Sequence, residues 1–398
     1  MTWLTAPLRK IAPPVASQAS FATNDKVWQL SLDQIESETG EIIGKRYGAA
    51  SDAGTSTYNF DSGNVLYSKL RPYLNKVVIP DGVGIATTEL IPLRPDPKTL
   101  NPRFLAYYLR SPGFVSQASH HVAGAKMPRV VMDWFWAHEA PIPSLKEQSR
   151  IVELLDEADR LRRIRREADA KAARILPSLF LKMFGDPATN PKGLPKNPLG
   201  NLIKVRSGEF LSAKDMAQDG TFPVYGGNGI NGYHDSYMFD DRKIILGRVG
   251  AYCGVVHYSE PKAWITDNAL YISEKYEPLD DFYLVAALEQ ANLNQYAGRA
   301  GQPLISGSRI YPVEILIPAE DMQASFSKLV QSLLSIDGIN TSASKRIDHL
   351  WEILMRRAFA GQLTAQWREG HIEELLAEMA QQARALNLPM RKELGALS

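Results

Sequence analysis

The stretch Ala140-Pro141-Ile142-Pro143-Ser144-Leu145-Lys146-Glu147-Gln148 decides how the chain is read, because its frame returns as Leu316-Ile317-Pro318 followed by Gln323. The prolines and the glutamines are each 175 residues apart, 318 − 143 and 323 − 148. The offset extends in both directions. Upstream, Met127-Pro128 matches Gln302-Pro303; downstream, Phe184-Gly185 has its counterpart at Phe359, two residues before Gly361. A constant offset over about sixty residues marks an internal duplication, and a duplication governs every later assignment of elements.

After Gln148 the apolar positions Ile151, Leu154, Ala158, Leu161, Ile164, Ala168, Ala172, Ile175 and Leu179 step by three or four, the spacing of one helix face. Adding 175 gives Phe326, Leu329, Leu333, Ile336, Ile339, Ala343, Ile347, Leu350 and Leu354, all apolar. The spacing predicts two long helices of roughly 39 residues, about 58 Å each. Matched seams are expected to bury against each other as an antiparallel coiled coil. Pro177 is expected to kink or break the first helix, and Gly338 with Asn340-Thr341-Ser342 to weaken the second.

Further upstream the repeat continues with changed offsets, as loops of different length require. Val65-Leu66-Tyr67-Ser68-Lys69 resembles Ile244-Ile245-Leu246-Gly247-Arg248, Tyr73 matches Tyr252 (252 − 73 = 179), and Pro7-Leu8 matches Pro198-Leu199 at 191. Each half mixes short β-rich runs, such as 243–246 and 269–272, with turn signals and a few helices, which gives an α+β class. The expected organisation is a globular domain at 1–144, a spacer helix at 145–186, a second globular domain at 187–319, a second helix at 320–361 and a tail at 362–398. Trp134 and Trp136 alternate like a strand face and are read as structural; Tyr73 and Tyr252 are read as core or hinge packing in preference to base-stacking groups. The tail from His371 to Ala385 is helix-like and acidic at its start, folding back on the coil or meeting a partner.

At 398 residues and 44% hydrophobic, the chain can bury more than one core. No run of about 18 apolar residues occurs, and Met1-Thr2-Trp3-Leu4 lacks the order of a signal peptide, so a cytoplasmic protein without a membrane span is expected. The one cysteine, Cys253, can form no internal disulfide and fits a reducing compartment. A net charge of +1 means that any basic surface must be local. The run Gly40-Glu41-Ile42-Ile43-Gly44-Lys45-Arg46 is one residue short of a phosphate-binding loop and lacks its hydroxyl. No carboxylate pair followed by lysine marks a nuclease. The seven histidines show no metal-ligand spacing beyond adjacent His120 and His121. No Asn-Pro-Pro-aromatic phrase of an adenine methyltransferase appears. The chain reads as non-catalytic, with no cofactor of its own.

The order of globular domain, helix, globular domain, helix resembles that of the specificity subunits of type I restriction-modification systems. The phrases Pro223-Val224-Tyr225-Gly226-Gly227-Asn228-Gly229, Ile244-Ile245-Leu246-Gly247-Arg248-Val249-Gly250 and Trp264-Ile265-Thr266-Asp267-Asn268-Ala269 are similar to the family's recognition-domain motifs. Ile142-Pro143 with Glu147-Gln148-Arg150, and Ile317-Pro318, are similar to its domain-to-helix junctions. The first half departs from the pattern, carrying Ser68-Lys69-Leu70-Arg71 where the second has Gly247-Arg248-Val249-Gly250. The resemblance implies that each globular region is a target-recognition domain reading one half of a bipartite site on double-stranded DNA. It also implies helices that dock methyltransferase subunits, two of them, and an ATP-dependent restriction subunit as a further partner. S-adenosylmethionine and ATP belong to those partners. The alternative is a coiled-coil adaptor whose globular halves bind protein rather than DNA; a recognition subunit of a related fused restriction and modification enzyme is a closer rival.

Arginine suits bidentate contact with guanine, asparagine and glutamine suit adenine, and glycine-rich loops let a backbone approach DNA. The candidates in the second half are Asn228, Arg248, Arg299, Gln302 and Arg309, the last three interleaved with Gly298, Gly301 and Gly307. Their first-half equivalents are Lys69, Arg71, Lys76, Lys126 and Arg129, where any single lysine is more suited to phosphate than to base. The plainer reading is that surface cations are common and glycines often serve only as turns. The mixed-charge run Arg160 to Glu167 fits a solvated helix flank or a partner surface.

Overall fold

The computed structural model describes residues 3–217, 219–298 and 302–389, with backbone alone at 337–342. The chain divides into two compact units, one of Met1–Arg165 with Ser344–Ser398, the other of Arg166–Ala343. Both are α+β, and each is built on the same frame. In the first, strand Leu4–Pro7 pairs antiparallel with Glu139–Ile142, setting Pro7 opposite Glu139. In the second, Lys196–Pro198 pairs antiparallel with Glu314–Leu316, setting Pro198 opposite Glu314. The next residues repeat too: Leu8 N–H donates to the His138 carbonyl and Leu199 N–H to that of Val313, both at 2.9 Å. The sequence offsets of 191 and 175 are therefore strand register.

A fully buried strand at the centre of each unit divides its side chains between two cores, as the two-residue period of a strand dictates. Val65 and Tyr67 of Val65–Ser68 enter a core shared with helix Pro102–Arg110, while Leu66 turns to a second core with Trp28 and Phe60. Ile244 and Leu246 of Ile244–Gly247 join Tyr283 and Phe326, while Ile245 joins Tyr225 and Tyr271. The first unit holds a four-stranded sheet in the order Tyr47–Ala49, Lys26–Leu30, Gly84–Thr87, Thr57–Phe60, and a three-stranded sheet centred on Val65–Ser68. The second holds a four-stranded sheet in the order Ile203–Ser207, Ala269–Lys275, Ile244–Gly247, Val256–Tyr258, and a three-stranded sheet centred on Phe222–Gly226.

The duplicated glutamines are structural. Gln148 accepts from Asn101 N–H (2.7 Å) and donates to the carbonyls of Pro143 (2.8 Å) and Thr99 (3.1 Å). Gln323 accepts from Asp280 N–H (3.0 Å) and donates to the Pro318 carbonyl (2.9 Å). Asn101 and Asp280 in turn cap helices Pro102–Arg110 and Asp281–Gln290. One buried amide thus ties the long helix, the strand that feeds it and a capped helix together, which satisfies polar groups that water cannot reach.

The long helices run Leu145–Ala172, Ile175–Phe184 and Glu320–Phe359. The first is interrupted at 173–174, just ahead of Pro177, which lacks the N–H that would continue the ladder and is accepted in the first turn of the next helix. Gly338 and residues 340–342 do not interrupt the other; the side chain of Ile339 lies outside the described residues. The expected seam is only partly right. Ile151 and Leu155 are buried, but Leu161 is 51% exposed and Leu350 56%, and Ile164, Ile175, Leu329 and Ile336 are also exposed. The face continuing from Leu155 by one heptad carries Arg162, only 14% exposed, which bonds Asp348 at 3.0 Å and covers the Trp351 ring at 4.8 Å. Arg165 donates to Ser344 at 2.9 Å. As 162 rises to 165, the partner falls from 348 to 344, so these two segments of the first unit run antiparallel. The apolar stripe read from the sequence lies partly beside the contact face rather than on it.

One other expectation is corrected. Trp134 and Trp136 lie in helix Met132–Ala137, not on a strand, and both pack on the core; His121 stacks on Trp134 at 4.5 Å. The tail packs into the first unit. Helix Ile372–Ala385 buries Leu375, Met379 and Ala383, one face at four-residue spacing. Gln382 donates to the Thr99 and Pro143 carbonyls at 2.8 and 3.1 Å. Among the described residues no helix is long and apolar enough to cross a membrane.

Candidate nucleic-acid interface

In each unit the central strand runs out into a loop, and a second loop clamps it by the same backbone contacts. Arg71 N–H donates to the Pro128 carbonyl (2.8 Å) and Val130 N–H to that of Lys69 (2.9 Å), with a bridge between Leu70 and Arg129. In the second unit Gly250 N–H donates to the Pro303 carbonyl (2.9 Å) and Ile305 N–H to that of Arg248 (2.9 Å), with a bridge between Val249 and Leu304. The strand-side offset is 179 and the clamp-side offset 175, those read from the sequence. Within this shared frame the side chains differ: Lys69 stands where the other copy has Arg248, Arg71 where it has Gly250, Met127 where it has Gln302, and Arg129 where it has Leu304.

In the second unit, Arg248 leaves the strand half-buried and donates from Nη1 to Ser207 Oγ (2.9 Å) and to the Asp267 carbonyl (3.1 Å), which fixes the guanidinium. Gly227 lies against this loop. A Cβ there would sit 3.3 Å from the Asn268 carbonyl and 3.5 Å from Gly247 Cα, so its turn carries the exposed Asn228 to the side of Arg248. Gln302, also exposed, points its Nε2 to within 3.3 Å of the place a Cβ on Gly250 would take. Arg309 lies on the short helix Gly307–Ile310 with its guanidinium against Gly298. The structure therefore brings Asn228, Arg248 and Gln302 to one surface with Arg309 on the adjoining loop, whereas Arg299 and Gly301 lie outside the described residues. His257 bonds the Gly227 carbonyl at 3.3 Å, and burial holds its pKa below the usual imidazole value. Cys253 donates its thiol proton to the Arg248 carbonyl at 3.2 Å; burial pushes this thiol up, the opposite of what a nucleophile needs.

In the first unit the clamp brings Lys69, Arg71 and Arg129 together, with Lys126 three residues ahead of Arg129; Arg71 and Lys126 are exposed. Lys76 does not join them: its Nζ donates to the Leu32 carbonyl at 2.6 Å. Arg129 is held by Glu89 in a bidentate pair, Nη2 to Oε1 at 2.7 Å and Nε to Oε2 at 3.1 Å, which neutralises its charge and raises its pKa. Glu89 and Ser207 could not be picked out as partners from the sequence, since they lie 40 and 41 residues from the arginines they bind. Among the described residues no group of three or more His, Cys, Asp or Glu side chains converges to hold a metal ion.

Residues 52–172 and 191–348 match the family described as the type I restriction modification DNA specificity domain, in two consecutive copies. The specificity subunit of the type I restriction enzyme EcoprrI from Escherichia coli is 26% identical over 171 residues, 40% of this chain and 42% of that protein. The EcoDI specificity subunit, also from Escherichia coli, is 26% identical over 159 residues, 39% of this chain and 35% of that protein. The aligned regions span less than half the length of these curated relatives. Among solved structures, a chain from a study of complex assembly and conformational transition of the type I R-M system covers 91% of this chain and 98% of its own, at 18% identity and a TM-score of 0.55. The type I S subunit from M. genitalium covers 90% and 96%, at 16% identity and a TM-score of 0.54. At such identities these two likenesses speak for the fold.

Proposed function

The chain belongs to the type I restriction-modification DNA specificity family, and from that premise we propose that it is the sequence-reading subunit of a type I complex, each unit recognising one half of a bipartite target. The carrying observation is the loop clamp: one backbone frame occurs twice with different side chains at equivalent positions. A shared frame presents each reader to its DNA in the same way, and different tips read different bases. The target is accordingly interrupted and non-palindromic.

The subunit makes no bond itself; methylation and cleavage belong to methyltransferase subunits, two per complex, and to an ATP-dependent restriction subunit. The long helices pair as an antiparallel coiled coil that spaces the readers and docks the methyltransferases. Support comes from the antiparallel pairing of 162–165 with 344–348 and from the apolar side chains left exposed along both helices, among them Leu161, Ile164 and Leu350. The domain limits remain those drawn from the sequence, with the tail now taken as a part of the first unit.

Co-expression with the methyltransferase subunits, followed by mapping of methylated bases in the host genome, tests the proposal. An interrupted, asymmetric motif that requires both proteins is the expected result. A complex that forms yet adds no methylation would favour the adaptor reading, and so would binding insensitive to salt, because phosphate contacts weaken steeply as salt rises.

A further inference from the structure

The clamped loop does more in both units than carry a cation. It enters a single 3-10 turn, Pro72–Leu74 in the first unit and Gly250–Tyr252 in the second. A left-handed residue stands on either side of the tyrosine in each: Arg71 (φ 50°) and Asn75 (φ 50°), then Gly250 (φ 74°) and Gly254 (φ 86°). Both pairs are related by the offset of 179, and so are Tyr73 and Tyr252 between them. The second copy meets this geometry with glycine, the residue to which left-handed backbone comes freely. The first copy meets it with Asn75, which tolerates such backbone better than most residues, and with Arg71, which disfavours it, and at an arginine this conformation persists only where its surroundings enforce it.

What the turn presents is an aromatic ring. Tyr73 is 53% exposed and Tyr252 48%, and among the described residues neither has a ring partner or a hydrogen bond from its hydroxyl. The expectation that they pack into a core or hinge therefore fails. Other large aromatics of the same units, Tyr67, Phe114, Phe135 and Tyr283, are buried in ring clusters. The exposed rings stand on the clamped loops, two residues after Arg71 in one unit and two residues after Gly250, which Gln302 approaches, in the other.

We propose that Tyr73 and Tyr252 are a duplicated pair of DNA-contacting aromatics, each laying its ring against the deoxyribose wall of its own half-site. This inference rests on the DNA-reading function proposed above. A ring on a stiff two-torsion side chain, held by a pinned turn, loses little freedom on contact, and contact with sugar is independent of sequence. The tyrosines would then supply affinity and position in both half-sites while their neighbours discriminate.

The test uses the full chain assembled with its methyltransferase subunits and a duplex bearing the mapped target. Tyr73→Ala and Tyr252→Ala should each weaken binding by about 5- to 30-fold, the loss expected when a half-exposed aromatic ring no longer buries its remaining surface. Tyr→Phe at either position should stay within a few-fold of the parent, which separates the ring from its hydroxyl. In hydroxyl-radical footprinting, which reads deoxyribose, each alanine variant should lose protection in one half-site only, a readout that general misfolding would not give. Alanine variants that bind within two-fold of the parent would overturn the role of the tyrosines and leave the DNA-reading function intact. A parent complex with no preference for any sequence would overturn both.

Discussion

Replacing Arg368 by methionine should loosen the C-terminal segment from the first unit. The Glu147 carboxylate is fully buried, and it accepts from Trp3 Nε1 (2.9 Å), Thr364 Oγ1 (2.6 Å) and Arg368 Nε (2.8 Å), with Arg368 Nη2 at 2.6 Å. Arg368, itself 12% exposed, also lies over the Trp3 ring at 5.4 Å and donates to the Gly361 carbonyl at 2.8 Å. Arg368→Met keeps the aliphatic packing but strands a buried carboxylate with two neutral donors, a change that costs about 3–5 kcal/mol. For a unit of roughly 220 residues, at about 2–4 °C per kcal/mol, the melting temperature should fall by roughly 6–20 °C. Adding Glu147→Gln should recover part of the loss, since no buried charge then remains unpaired. Thermal unfolding followed by tryptophan fluorescence reads the first quantity, and amide exchange over Ile372–Ala385 the release of the tail. A shift below 2 °C with the tail still protected would show that the pair does not hold the segment.

Four further outcomes follow from the same contacts. Glu89→Gln should release Arg129 from its bidentate partner and steepen the salt dependence of DNA binding by about 0.9 in log–log slope, the signature of one added phosphate contact; an unchanged slope would mean that Arg129 stays off the DNA even when free. Gln323→Ala should destabilise the second unit by about 1–3 kcal/mol in urea unfolding, because the Asp280 N–H and the Pro318 carbonyl lose their partner. Burial, helped by His121, holds His138 below 6.5, so the folded state binds its proton less readily than the unfolded chain. Stability should be complete above pH 6.5 and decline as pH falls through the lowered folded value, with His138→Gln flattening that slope between pH 7.5 and 5. Arg71→Gly should relieve a left-handed conformation and be neutral or stabilising by up to about 1 kcal/mol, while weakening DNA binding measured by gel shift; tighter or equal binding would remove Arg71 from the interface.

The duplication was legible because strand register and helix entry are fixed by residues close in sequence, so a constant offset survives as geometry. Gln148 and Gln323 were visible as identical letters, yet their role was not, since it depends on a carbonyl just past a strand end and an N–H at a helix cap. The helix phase was partly misread: counting apolar letters favours Leu161 and Ile164, but the heptad from Leu155 leads to Arg162, whose stem packs on Trp351 while its head finds Asp348. The two tryptophans misled by their two-residue spacing, which a six-residue helix reproduces when its neighbours wrap it. The tail's attachment was beyond sequence reasoning, for Glu147 and Arg368 lie 221 residues apart.

The two copies also show what the fold holds fixed and what it leaves open. The clamp hydrogen bonds, the glutamine bridge and the left-handed pair recur at constant offsets although the residues differ, Arg71 and Asn75 in one unit and Gly250 and Gly254 in the other. Glycine is the easier residue for such backbone, so a side chain kept there at a cost in stability calls for a reason outside the fold. For Arg71 the surface provides one: it stands exposed on the clamped loop, opposite a segment whose own arginine, Arg129, is already paired with Glu89. The second unit has its fixed guanidinium in Arg248 and can leave the corresponding turn position to glycine. Each copy thus places an arginine at the mouth of the same loop, but at a different step along it, and a displaced donor meets a different base or phosphate. Under the proposed DNA-reading function, an asymmetric target is expected from that displacement even before the remaining side chains are compared.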